Sequence, residues 1–280
     1  MIRVRAMAPQ DVELGLRLKD QARWNQTEAD WRRFLDLEPK GCFIAEWDGR
    51  PVATTTTCLL GTVGWIAMVL VDESARNRGI GTRLVEHAVT DLLTRGARTI
   101  RLDATPLGKP VYERLGFVAD YELARMQGTT HAPRQADPAI LRVKGPNIPA
   151  LLRLDTATTG TQRDRLLARL VSEAPERTGL TQRDRRVTGY VMWRPGSHAA
   201  TLGPAIATEP SDGVALLDWA LGQCGGHAIF VDVPVGNRNA MDWALSQGLD
   251  FQRHFLRMHL GLPVKDRPDQ IWASSGPEKG

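Results

Sequence analysis

At 280 residues, with 42% hydrophobic and 24% charged side chains, the chain has the profile of a soluble globular protein long enough for two domains. The net charge is only +4 and no Lys/Arg block is interleaved with aromatics, so no nucleic-acid partner is expected. Cys42, Cys58 and Cys224 are widely spaced and unpaired in pattern, which argues against a disulfide framework or a zinc site, and no membrane-spanning or signal-peptide stretch stands out, so a cytoplasmic protein is expected.

Residues 2–7 (IRVRAM) read as a strand, followed from about Pro9 to Leu37 by a helical pattern with a break near Trp24–Thr27 and candidate caps at Asp11 and Thr27. Residues 41–48 and 50–60 form a hairpin signal split by Asp48-Gly49. WIAMVLVD (65–72) is the next strand, and residues 81–96 form an amphipathic helix closed by Gly96. TIRLDATP (99–106), the short helix 109–116 and FVADYELARM (117–126) complete a mixed α/β unit. HAPRQADPA (131–139) reads as a linker.

The second half ends as the first does. IRLDATP…YERLGFVADYELARM (100–126) can be laid over IFVDVP…WALSQGLDFQRHFLRM (229–258), each a strand with an Asp, a Pro turn, a helix closed by Gly and a strand ending in Arg-Met. An internal duplication is the economical explanation. The expected domains are therefore 1–130 and 140–262, with a flexible tail over 263–280, rich in Pro, Ser, Gly and charge, in which Ile271-Trp272 are the residues that could pack.

The segment RNRGIGTR (76–83) lies at a strand-to-helix turn. Gly79 and Gly81 allow close backbone approach, and the N–H groups opening the next helix form a phosphate cradle. A plain tight turn is the alternative. The lysine of a Walker A loop is absent, and Leu84 stands where a dinucleotide fingerprint needs its third glycine. In the second half, Pro-Ser-Asp-Gly (210–213) replaces the glycine turn.

Arg76-x-x-Gly79-x-Gly81, preceded by Val71-Asp72-Glu73-Ser74-Ala75-Arg76 and followed by Tyr112 four residues before Gly116-Phe117, resembles the GNAT N-acetyltransferase family over about residues 1–128. The two-domain arrangement with a degenerate second copy resembles the YitH-type GNAT proteins. The resemblance implies an α/β (α+β) fold of two tandem GNAT-like domains, each a mixed, mostly antiparallel twisted sheet flanked by helices. It also implies an acetyl-CoA-dependent transfer of an acetyl group to a primary amine of a small molecule or amino-acid-like acceptor. Alternatives are acetylation of a protein Lys or N-terminus, and a non-catalytic acyl-CoA sensor. The chain is expected to act as a monomer or homodimer.

By the same resemblance, main-chain groups of Val69, Leu70 and Val71 would meet the acetyl carbonyl and pantetheine arm. Arg76, Asn77, Arg78, Gly79, Ile80, Gly81 and Thr82 would hold the pyrophosphate, although Arg76 and Arg78 also suit a solvated surface. Thr105 stands where many members have an asparagine that contacts the cofactor. Tyr112 would be the general acid or a buried structural tyrosine. Asp103 would be the base, acting through water, or a structural aspartate. Trp24, Asn25, Gln26 and Thr27 at the helix break suit an acceptor pocket wall, or a capping turn, and Asp232 is the repeat's counterpart of Asp103.

Overall fold

The computed structural model describes residues 1–129 and 139–280. The expected linker 131–139 lies almost wholly outside the described residues. In chain order the elements are β1 (Ile2–Ala6), α1 (Val12–Gln21), α2 (Glu28–Leu37), β2 (Cys42–Trp47), β3 (Arg50–Leu60), β4 (Val63–Val71), α3 (Ile80–Thr94), β5 (Thr99–Ala104), α4 (Lys109–Arg114) and β6 (Val118–Thr129). After the linker come β7 (Leu141–Arg142), α5 (Ile148–Thr159), α6 (Asp164–Glu173), β8 (Thr178–Arg183), β9 (Arg186–Arg194), β10 (Ala200–Ala207), α7 (Pro210–Gln223), β11 (Ala228–Pro234), α8 (Arg238–Ser246), β12 (Asp250–Gly261) and β13 (Ile271–Ala273).

The chain divides into a first unit, Met1–Ala119 with Met258–Pro263, and a second unit, Asp120–Arg257 with Val264–Gly280. This division differs from a boundary at 130. Most of β6 belongs to the second unit, where it pairs antiparallel with β11 from Leu123↔Pro234 to Thr129↔Ala228. The end of β12 belongs to the first, where Thr99 Oγ1 donates to Leu262 O at 2.6 Å. The physical reason is the repeat itself. The two final strands carry the same pattern, and pattern alone does not say which sheet each strand completes.

In the first unit the sheet runs β1-β2-β3-β4-β5, antiparallel except for the β4–β5 pair. Asp48 and Gly49 take positive φ at the β2–β3 hairpin, as a two-residue turn requires. α3 turns Ile80, Leu84, Val85, Ala88 and Leu92 inward at helical spacing. Gly64 on β4 lets Leu92 close in, since a Cβ there would fall 2.8 Å from its methyl. At the start of α2 the Asp30 carboxylate accepts from the Thr27 N–H at 2.9 Å and from its hydroxyl at 3.0 Å. Asp11, expected as a cap, makes no side-chain bond to its own helix; its carboxylate takes both terminal nitrogens of the Arg5 guanidinium, at 2.7 and 2.8 Å.

In the second unit residues 250–257 of β12 lead the order β12-β6-β11-β10-β9-β8-β7, with β13 added against β10. One face packs Leu217, Trp219, Trp243 and Trp272 under α7 and α8. Another apolar cluster joins Leu151, Leu167, Leu180 and Tyr190.

The last ten residues of the tail expected to be flexible are packed. Residues 271–280 are buried almost throughout, including Trp272, Ser275 and Lys279. Composition misled because the segment's few strong anchors outweigh its small residues. Ile271 and Trp272 enter the core, Arg194 binds Glu278 at 2.6 Å and Ser275 O at 2.8 Å, and Arg163 donates to Gly280 O. No described helix is long and apolar enough to cross a membrane.

Candidate active site

The site builds up from β4 in the first unit. β4 runs parallel to β5, but their register covers only Val63↔Thr99 to Trp65↔Arg101. Beyond Trp65 the two strands part, and among the described residues no strand lies between them. On its other side β4 slips register against β3 between Thr54 and Thr56, a β-bulge. Its centre is Met68, buried, with φ +52, a conformation costly for a side chain of this size. Two buried hydroxyls hold it: Thr54 Oγ1 donates to Met68 O at 2.9 Å, and Thr55 Oγ1 to Ala67 O at 3.1 Å. This bulge is not apparent from the residues of β4 themselves. The run of four threonines at 54–57, polar yet fully buried, is the signal that could have revealed it.

Strand alternation now sorts the β4 amides. Asp72 N–H donates to Val52 O at 2.8 Å, so Leu70, two residues earlier, also turns its N–H toward β3. Val69 and Val71 turn theirs to the opened side. Of the three amides expected to meet a ligand, Leu70's is therefore committed to the ladder, and its side chain is buried.

The strand leads directly into the glycine turn. Asp72 ties the turn down: its carboxylate accepts from Ser74 N–H (3.0 Å) and Ser74 Oγ (2.7 Å), and from Arg17 on α1. Arg17 and the Ser74 hydroxyl hold its pKa down to about 2. Arg76 folds back so that its Nε donates to Val71 O at 3.2 Å. Arg78 is exposed and lies over the Trp47 ring, 4.1 Å from its centroid, which fixes a cation beside the turn. Asn77 and Gly79 both take left-handed φ, at +61 and +76.

Gly79 is the N-cap of α3 and supplies no side-chain cap, and the first turn carries no acidic residue. The first helical bond runs from Arg83 N–H to Gly79 O, so the N–H groups of Ile80, Gly81 and Thr82 have no intrahelical acceptor. A Cβ on Gly79 would meet nothing within 4 Å, and one on Gly81 only Val71 at 3.5 Å. The positive end of a helix of fifteen residues thus opens onto unobstructed backbone, an arrangement suited to phosphate.

Tyr112 on α4 is buried, with Phe117 edge-on at 5.9 Å between centroids. Its hydroxyl has no hydrogen-bond partner among the described residues, and burial raises its pKa well above the ordinary phenol value. Gly108, missed in the sequence, makes the ring's position possible, since a Cβ there would lie 2.8 Å from the ring. Thr105 accepts at its hydroxyl from Gly108 N–H (3.3 Å), so it shapes the start of α4. Asp103 lies two residues past the last β4–β5 pair, on the diverging end of β5, and is half-buried.

Asn25 and Gln26 are buried in the α1–α2 turn, Trp24 is half-buried, and the Thr27 N–H and hydroxyl both donate to Asp30. Asp232, expected at an acceptor cleft, belongs to the second unit and is neutralised there. Arg125 holds both its oxygens, at 2.7 and 2.8 Å, with Phe230 and Phe255 around the guanidinium. The repeat conserved an aspartate at this register, but the opposing residue on β6 is an arginine, and a buried carboxylate needs such a partner.

A parallel pair that opens beside a bulge and runs into an uncapped helix N-terminus makes a cleft suited to a phosphate-bearing ligand. The acetyltransferase (GNAT) family profile matches residues 14–117, and an acetyltransferase (GNAT) domain profile matches residues 151–273. The chain belongs to the GNAT acetyltransferase family, as a tandem of two such domains, and is an acyl-CoA-dependent acyltransferase. It is 24% identical over 260 residues to the holothin acyltransferase of Pseudoalteromonas, covering 92% of this chain and 87% of the other. It is 27% identical to the uncharacterized N-acetyltransferase YitH of Bacillus subtilis, over 83% of this chain and 82% of that one. A crystal structure from Pyrococcus horikoshii, assigned to the acetyltransferases, shares the fold with a TM-score of 0.85 at 22% identity, covering 100% and 96% of the two chains.

Proposed function

We propose that the first unit transfers an acetyl group from acetyl-CoA to the primary amine of a small-molecule acceptor. The observation that carries this reading is the continuity of β4: it parts from β5, presents the Val69 and Val71 amides to the opening, and ends on the uncapped start of α3. The α3 amides, with Arg76 and Arg78, would hold the pyrophosphate. The Val69 and Val71 N–H groups would bind the pantetheine arm and stabilise the oxyanion that forms as the amine nitrogen bonds to the carbonyl carbon. As the carbon–sulfur bond breaks, Tyr112 would deliver its proton to the departing sulfur. Burial supports that role, because it keeps the phenol protonated across neutral pH. Asp103 would accept the ammonium proton through water.

A small acceptor is supported by the relative from Pseudoalteromonas, whose name specifies holothin and whose alignment spans most of both chains. The buried Asn25 and Gln26 would line the acceptor side. The test is coenzyme A release from acetyl-CoA across a panel of small amines and N-terminal peptides, with Tyr112→Phe as control. Turnover with small amines that collapses in the variant is expected. Turnover confined to peptides, or equal rates in the variant, would contradict the acceptor class or the acid respectively.

A further inference from the structure

The second unit repeats the opening of the first and then fills it. β10 is parallel to β11 only over Ala200↔Ile229 to Leu202↔Val231, the same short register that β4 shares with β5. Here a strand enters the gap. β13 pairs antiparallel with β10 at Ala205↔Ala273 and Ile206↔Ile271. On the other lip, Ser274 N–H donates to Asp232 O on β11 at 2.8 Å, and Asn237 Nδ2 donates to Ile271 O at 3.0 Å. Both edges of the opening are thus hydrogen-bonded to the chain's own backbone.

Two glycines are spent on this insertion. A Cβ on Gly203 would fall 2.0 Å from Ser274 O, and one on Gly213, in the first turns of α7, 1.9 Å from the Trp272 ring. The helix end is also changed. α7 follows Glu209 and carries Asp212 in its first turn, where α3 has no acid, and Asp242 lines the open pocket of about 410 Å³ beyond Trp272. Asp212 accepts from Arg183 at 2.6 Å and from the Thr188 hydroxyl at 2.6 Å, so the start of α7 already carries a paired side-chain carboxylate where the start of α3 carries none.

We propose that Ile271–Ser275 are a built-in occupant of the second unit's cleft, lying where the first unit takes the acyl-carrying arm, so that one chain binds one coenzyme A. The comparison rests on the proposed cofactor reading of the first unit. The test is hydrogen exchange on the full chain with and without saturating coenzyme A. Unchanged exchange at Ile271–Ser275 and at 210–213 is expected. Faster exchange at Ile271–Ser275 together with protection of 210–213 would overturn the proposal. Exchange at Arg76–Thr82 is read separately, and its failure to slow would count against the first unit's site alone. In Trp272→Ala, exchange at Ile271–Ser275 should accelerate at least about tenfold with no change at Arg76–Thr82. An unaltered segment would contradict Trp272 as its anchor, and if this variant does not fold the wild-type comparison still decides.

Discussion

The two openings, between β4 and β5 and between β10 and β11, begin from the same backbone arrangement and end in opposite states. In the first, glycines face unobstructed space and the helix dipole lacks an internal counter-charge. In the second, glycines face Trp272 and Ser274, and an aspartate already sits at the helix start. A duplicated fold does not carry its chemistry with it; function follows which backbone groups are left unpaired. A unit without a ligand must satisfy the exposed lips of its own splayed strands, and β13 does so with main-chain hydrogen bonds.

This contrast can be attacked from both sides. The largest effect is expected from Trp272→Ala, which empties a buried site and should cost about 3–5 kcal/mol of the second unit's stability in denaturant unfolding. Coenzyme A affinity should stay within about twofold of wild type (~0.4 kcal/mol). Next, Tyr112→Phe should lower kcat by about 100-fold or more with little change in coenzyme A affinity. Because burial raises the phenol's pKa, loss of this proton should not depress the wild-type rate below about pH 10, the ordinary tyrosine value. A falling limb at pH 8–9 that vanishes in the variant would show otherwise.

Gly81→Val tests the cradle more gently. A Cβ there meets only Val71 at ordinary contact distance, so the fold should hold while coenzyme A dissociation rises about tenfold (~1.4 kcal/mol). The smallest effect belongs to Asp72→Asn, about 1 kcal/mol of the first unit's stability at neutral pH. Asp72 is depressed to about 2, so its contribution is full above the ordinary aspartate value near 4 and fades as pH falls toward about 2. The stability gap between wild type and Asp72→Asn should close over that window, and a constant gap would mean that the ion pair is not its source.

Much of this was legible in residues alone. Periodicity located α3 and β4, and the spacing from Arg76 to Gly81 pointed to the turn, because helix burial and turn geometry are local constraints. What escaped was non-local. Met68's bulge depends on hydroxyls from β3, Asp232's fate on an arginine 107 positions earlier, and the tail's order on an opening between β10 and β11. The exchange of β6 and the end of β12 was invisible because two strands of like pattern fit either sheet equally well.

The most direct measurement is calorimetric titration of the full chain with coenzyme A, repeated for Gly81→Val. The account predicts one molecule bound per chain, with the single isotherm weakened by the substitution. Two molecules per chain, or one whose affinity ignores Gly81→Val, would contradict it.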